Sequence, residues 1–253
     1  MVSAGSTLTR GVTLPILGVG VAGVKMALGF EASMQKIVGL VGVSQDQVDA
    51  WSDDVLQMSR KLGTPAEELA DALFFVTSAG LKGEAALDAL REAAKASESG
   101  LGETKVIADA ITSAIHDYGE ANMTASRATD VLTATVKEGK TEASAIGPVL
   151  GNVLPLASEL GVSFEDVGAA IASFTRAGVP ATKATTQINA IFSGLLKPTD
   201  EARDAFEEAG LSVSGLRKEM AEKGLHPTLM KIRDAVGGNT EALAELFPEQ
   251  RAL

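Results

Sequence analysis

Gly18-Val-Gly20-Val-Ala-Gly23 spells G-x-G-x-x-G, the one segment of this chain whose residue types and spacing could cradle the pyrophosphate of a dinucleotide. That chemistry needs a strand before the first glycine, a helix after the last, and an acidic residue about 20 positions further on to hold the ribose. Pro15 interrupts the would-be strand, position 43 is Val, and no further strand–helix units follow. A flexible or close-packing glycine segment is therefore the better reading. His116 and His226 could serve as bases or metal ligands, but neither belongs to a ligand or triad spacing. His116 lies in Ile115-His116-Asp117-Tyr118-Gly119, where it can interact with the negative end of a helix, and His226 directly precedes Pro227 at a helix start. The carboxylate pairs Asp53/Asp54, Glu67/Glu68 and Glu207/Glu208 could in principle do acid–base work, yet they fall on amphipathic helices, near N-termini or on polar faces, with no apolar pocket around them. Cysteine is absent, which removes disulfides, a thiolate nucleophile and any cysteine-based zinc or iron–sulfur site. The expectation is of no catalytic, cofactor-binding or metal site, and of a protein that is not an enzyme.

The elements that carry these residues read as short helices. Glycines recur at 63, 80, 100, 119, 139, 161, 178, 194, 210, 224 and 237, the spacing expected of helix C-caps. Start signals fall between them: Thr64-Pro65-Ala66-Glu67 offers an N-cap, a proline for the first turn and a capping-box Glu, and Ser44 to Gln47 and Ser163 to Asp166 have related spacing. Helices are predicted at about 20–40, 44–62, 65–79, 83–99, 103–118, 124–138, 142–160, 164–177, 181–196, 199–209, 215–223, 227–236 and 240–247. No run alternates with period two long enough to make a strand, so the fold class is all-α, an array of short helices.

Two stretches of this array match without a gap. Residues 62–80 and 160–178 are offset by 98 positions and share Leu, Gly, Glu, Ala, Thr, Ala and Gly at equivalent places, while Glu68/Asp166, Leu69/Val167 and Leu73/Ile171 keep their character. A duplicated helical unit is the simplest explanation, and repeated helical units serve more often as scaffold, spacer or binding surface than as an active site.

The chain can bury a sizeable core: it has 253 residues, 45% of them hydrophobic, with only 4% aromatic, so the packing must rely on Ala, Leu, Val and Ile. Its net charge is −11, and residues 1–50 are neutral, so the rest carries the whole deficit. An acidic body without a basic, aromatic-studded patch repels phosphate backbones, which argues against direct nucleic-acid binding. The lead segment differs from the rest. Gly11 to Val24 is apolar and glycine-rich but, at 14 residues, shorter than the roughly 20 of a membrane span, and it lacks a clear signal-peptide cleavage site. Beyond Lys25 the stripe Phe30, Met34, Ile37, Val38, Val41 makes an amphipathic helix suited to a partner helix.

With the helical order laid out, the chain resembles the core region of phage tail tape-measure proteins over nearly its whole length. The residues that carry the resemblance are Thr9-Arg10-Gly11-Val12-Thr13-Leu14-Pro15-Ile16, then Phe30-Glu31-Ala32-Ser33-Met34 leading to Gly39, Gly42-Val43-Ser44. They continue through Leu62-Gly63, Ser78-Ala79-Gly80-Leu81, Gly161-Val162-Ser163, Arg176-Ala177-Gly178-Val179 and Leu196-Lys197-Pro198-Thr199 with Glu201-Ala202. Ala209-Gly210-Leu211, Leu246-Phe247 and Arg251-Ala252 complete the order. Pro248 stands where the family often has glycine, and the family's long flanking coils are missing on both sides, so the sequence reads as an excised core.

The resemblance implies a structural protein of the virion tail, made in the bacterial cytoplasm. Such a protein sets tail length during assembly, fills the tail tube and leaves ahead of the DNA, and some members help a channel form in the host membrane. The partners it implies are the tail-tube protein and tail-assembly chaperones, with self-association and host-membrane contact through residues 11–43 as further expectations. One unbroken helix of this length would span about 380 Å at 1.5 Å per residue, but the helix breaks argue instead for a compact module on a longer ruler. Three parts are expected: a lead segment 1–43, a duplicated core 44–196 and a C-terminal helical subdomain 197–253. The competing class is an α-helical repeat scaffold for protein binding, unrelated to phage.

Overall fold

The computed structural model describes residues 21–247, and it is all-α: thirteen α-helices and no strand among the described residues. The first two glycines of the G-x-G-x-x-G segment, and the lead residues up to 20, lie outside the described residues; Gly23 falls within the first helix. Among the described residues the backbone divides between Phe74 and Phe75 into two compact units.

In the first unit α1 (Val21–Lys36) continues into a π-helical turn, Ile37–Val41, followed by α2 (Gln45–Leu62) and the start of α3 (Ala66–Ser78). The prediction of one regular helix over 20–40 is thus corrected at its end: the last turn widens before Gly42 closes it at φ 79°. Phe30, Met34 and Ile37 of the predicted stripe are buried, as are Val48, Trp51, Val55 and Met58 of α2, whose spacing of three and four puts them on one face. A Cβ on Gly29 of α1 would meet the Glu67 carboxylate of α3 where it now lies. Ser33 donates to Asp71 at 2.6 Å across the same seam.

The second unit contains α4 (Gly83–Glu98), α5 (Thr104–Tyr118), α6 (Ala125–Glu138), α7 (Ala143–Glu159), α8 (Phe164–Arg176), α9 (Ala181–Leu196), α10 (Asp200–Glu208), α11 (Val213–Lys223), α12 (Leu225–Ala235) and α13 (Thr240–Leu246). Helices α4, α5, α7 and α9 lie side by side as one layer, and α6, α8 and α12 form a second against it. Small residues set the separations, as the poverty in aromatics requires. Ala86, Ala89, Ala93 and Ala94 of α4 and Ala108, Ala110 and Ala114 of α5 are all buried. A Cβ on Gly147 of α7 would stand 3.0 Å from Val106 of α5, and one on Gly168 of α8 would strike the Thr135 hydroxyl of α6. Buried threonines return their hydroxyls to the preceding turn, Thr129 to Ala125, Thr135 to Val131 and Thr185 to Ala181, each at 2.8 Å, so no partner from another helix is needed.

Most expected stops hold. Gly80 and Gly178 take φ of 102° and 92°, as do other capping glycines in the same positive range. Two depart from the expectation. Gly139 ends α6 in extended backbone (φ −89°), and its role is contact: a Cβ there would crowd Thr135, Ala172 and Thr175. Gly194 stops nothing; it lies inside α9, where a Cβ would meet the Phe247 ring at 2.9 Å. Helices α11 and α12 also begin two residues earlier than expected. The Ser212 hydroxyl accepts from the Gly215 amide and starts α11 at Val213, while Pro227 sits in the first turn of α12, where no amide donor is needed.

The two matched stretches each comprise a helix, α3 or α8, closed by a glycine at positive φ. Leu69, Leu73 and Thr77 are buried in the first, and Val167, Ile171 and Thr175 in the second.

Candidate functional site

The residues with chemistry to offer are dispersed. Asp53 and Asp54 are exposed on α2 and Glu207 and Glu208 on α10, while Glu67 faces Gly29. His116 is exposed near the end of α5, and His226 is the exposed second residue of α12. No three His, Cys, Asp or Glu side chains converge as metal ligands among the described residues.

The most connected polar cluster joins the ends of α5 and α7 to the starts of α6 and α8. The Thr124 and Ser163 hydroxyls cap α6 and α8, accepting from the Arg127 and Asp166 amides at 3.2 and 3.1 Å. Those caps set Arg127 and Glu165 in the first turns of neighbouring helices, and the guanidinium donates to the carboxylate at 2.7 Å. Burial is the largest single influence on Glu165 and opposes its ionisation, but the Arg127 hydrogen bond, a backbone hydrogen bond and the Arg127 charge together outweigh it and hold the carboxyl below its usual value. Tyr118 donates its phenol to the Val162 carbonyl at 2.9 Å and stacks on Phe164 at 6.4 Å between centroids. Burial, then the charges of Asp117, Glu165 and Asp166, push its ionisation far up, so the phenol remains a donor. Ser158 donates to the Asp117 carbonyl at 2.7 Å, and burial raises the Asp117 carboxyl despite the nearby His116. The hydrogen bonds of this cluster run between the helix ends themselves. The cluster locks helix ends together and holds no group poised for transfer.

Sequence reasoning did not find this cluster, because Arg127 and Glu165 are 38 positions apart and Tyr118 and Val162 are 44 apart. The signal that existed was the pair of N-caps that places both charges on first turns. Arg217 was likewise missed: from α11 it donates to the Leu195 and Leu196 carbonyls, both at 2.7 Å, and so closes the end of α9.

Two shallow grooves mark the second unit. One, of about 700 Å³, runs beside α11 and α12 and is lined by Leu211, Glu219, His226, Met230 and Lys231. Glu219 there is held by Lys231 and by Lys223, the latter at 2.9 Å. The other, of about 470 Å³, lies between α4 and α6, with Ala96, Leu101 and Val136 as floor and Lys95 and Lys137 at its rim. Neither encloses a set of convergent polar groups of the kind that orients a small molecule. No helix among the described residues is long and apolar enough to cross a membrane.

The second unit therefore presents helix packing and an acidic exterior, the properties of a structural element. Comparison with known proteins agrees with that character. The chain is 25% identical over 238 residues to the tape measure protein of Pneumococcus phage Dp-1, an alignment covering 94% of this chain and 20% of that protein. It is 26% identical over 253 residues to a probable tape measure protein of Clostridium phage phiCD119, covering 96% of this chain and 26% of the relative. A probable tape measure protein of Escherichia phage P2 is 25% identical over 205 residues, covering 76% of this chain and 24% of its own. The chain thus spans about a quarter or less of the length of these relatives, and no solved structure matches it. The family model described as phage-related minor tail protein matches residues 52–247, from the middle of α2 to the end of the described fold; this chain belongs to that family of phage tail proteins.

Proposed function

We propose that this chain is a compact helical module of a tape-measure protein, which sets tail length during assembly, occupies the tail tube and takes part in genome delivery. The observation that supports it most is the near-complete alignment of this chain onto a fifth to a quarter of three longer tape measure proteins. The helix breaks support a reading in which the length-measuring rod lies in other parts of such a protein and this module serves assembly or delivery. Tail-tube protein and tail-assembly chaperones are the partners this reading implies, and residues 11–43 are the part that meets a host membrane or a second copy. The module divides as 1–43, 44–196 and 197–253, with 62–80 and 160–178 descended from one duplicated unit; equivalent burial of Leu73 and Ile171 supports that descent.

Deletion of residues 75–247 from the intact gene of a phage that carries this chain tests the module reading, with tails measured by electron microscopy. Loss of tails or of infectivity at unchanged tail length is expected. Tails shortened by about 260 Å, which is 1.5 Å for each deleted residue, would make this segment part of the rod instead.

A further inference from the structure

The C-terminal helix is attached unlike the others. Between α12 and α13 the backbone passes through Gly237 and Gly238, both at positive φ, 58° and 72°, with open space around each. Helix α13 is seven residues long, capped by the Asn239 side chain, and two turns of helix do not persist alone in water. What holds it is Leu246 and Phe247. The Phe247 ring fills the notch left by the missing side chain of Gly194 on α9 and meets Phe206 of α10 edge to face, centroids 5.7 Å apart. The two helices that meet there carry net charge of one sign. Helix α10 carries Asp200, Glu201, Asp204, Glu207 and Glu208 against one Arg203, and α13, which packs on it, adds Glu241 and Glu245 with no base.

We propose that α13 is a releasable latch: Phe247 leaves the Gly194–Phe206 notch and α13 swings on the Gly237–Gly238 hinge while α4–α9 stay folded. The inference rests on the module reading only for its use. In a longer protein, tension on the chain beyond Phe247 falls first on this aromatic anchor, so the latch is where a compact module begins to pay out. Hinge, notch and like-charged faces stand whatever the module is for. Raised ionic strength screens the acidic faces and closes the latch.

Hydrogen exchange on the full chain, read by mass spectrometry, tests the latch. The Leu243 and Phe247 amides, bonded to Asn239 and Leu243, are expected to exchange at least about tenfold faster than those of α9, and to slow as salt is raised, the mark of a local opening. Gly194→Ala, whose methyl occupies the notch, and Phe247→Ala, which empties it, should each speed residues 240–247 by a further factor of about ten without changing exchange in α4–α9. Exchange of residues 240–247 at the rate of α9 in the native chain would overturn the proposal. So would variants in which α9 and α13 lose protection together, because α13 would then be an integral part of the fold. Failure of the tail-length experiment would leave these exchange rates untouched.

Discussion

Gly80 and Gly178 hold φ of 102° and 92° with nothing near the position of a Cβ, so any cost of substitution there is torsional. Gly80→Val and Gly178→Val are each expected to lower unfolding free energy by about 1–2 kcal/mol in urea titrations. Gly168 is the opposite case: ordinary helical backbone, but a Cβ would strike Thr135 and crowd Val131. Gly168→Ala is expected to cost about 1–3 kcal/mol through overpacking between α6 and α8, and pairing it with Thr135→Ala should recover part of that loss. The charges of the helix-end cluster have their own signature. Because Arg127 holds the Glu165 carboxyl below its ordinary 4.5 in the folded chain, its contribution is complete above that value and is lost as pH falls through the depressed one. Glu165→Gln should therefore flatten the acid limb of Tm against pH below about 4.5 and cost no more than about 1 kcal/mol at neutrality, the pair being half-exposed. Asp117 has the reverse sign. Its raised value means that ionisation is penalised in the fold, so Asp117→Asn should raise Tm at pH 7 and lose that advantage in acid.

Among the helices, α7 shows how much the sequence discloses and where it falls silent. It carries Pro148, Gly151 and Pro155, which local propensity reads as breaks, yet residues 142–160 are legible as one helix because Ile146, Leu150, Val153, Leu154 and Ala157 keep an apolar face. All five are buried, while the prolines and Gly151 are exposed. Tertiary burial decides the outcome, and Gly151→Ala, with open space for its methyl, should stabilise the chain by about 1 kcal/mol in the same titrations. Caps were equally readable, since Ser44 and Ser163 do what their spacing to the third following amide requires. The π-turn at Ile37–Val41 was not, because apolar residues continue through it with helical spacing and nothing local marks the wider turn. Gly139 and Gly194 were misread for a related reason: a glycine that admits a neighbour looks, in one dimension, like a glycine that turns the chain. The Arg127–Glu165 and Tyr118–Val162 contacts exist only once helices far apart in sequence are brought together.

At the scale of the whole chain, an excess of eleven negative charges and a sequence pI near 4.7 set its dealings with other polymers. No retardation of duplex DNA is expected in gel-shift assays at ordinary ionic strength. Removing residues 1–43 is expected to reduce association with liposomes relative to the full chain, as sedimentation would show; equal association would remove the proposed membrane contact. A final property follows from the scarcity of large aromatic side chains. The sole tryptophan, Trp51, is sealed inside the first unit at 2% exposure, and the sole tyrosine, Tyr118, is hydrogen-bonded inside the second. Each unit therefore owns a chromophore that the other lacks. Indole emission follows the melting of one and phenol absorbance that of the other, so an unaltered chain reports by itself whether its two halves give way in a single transition or in succession.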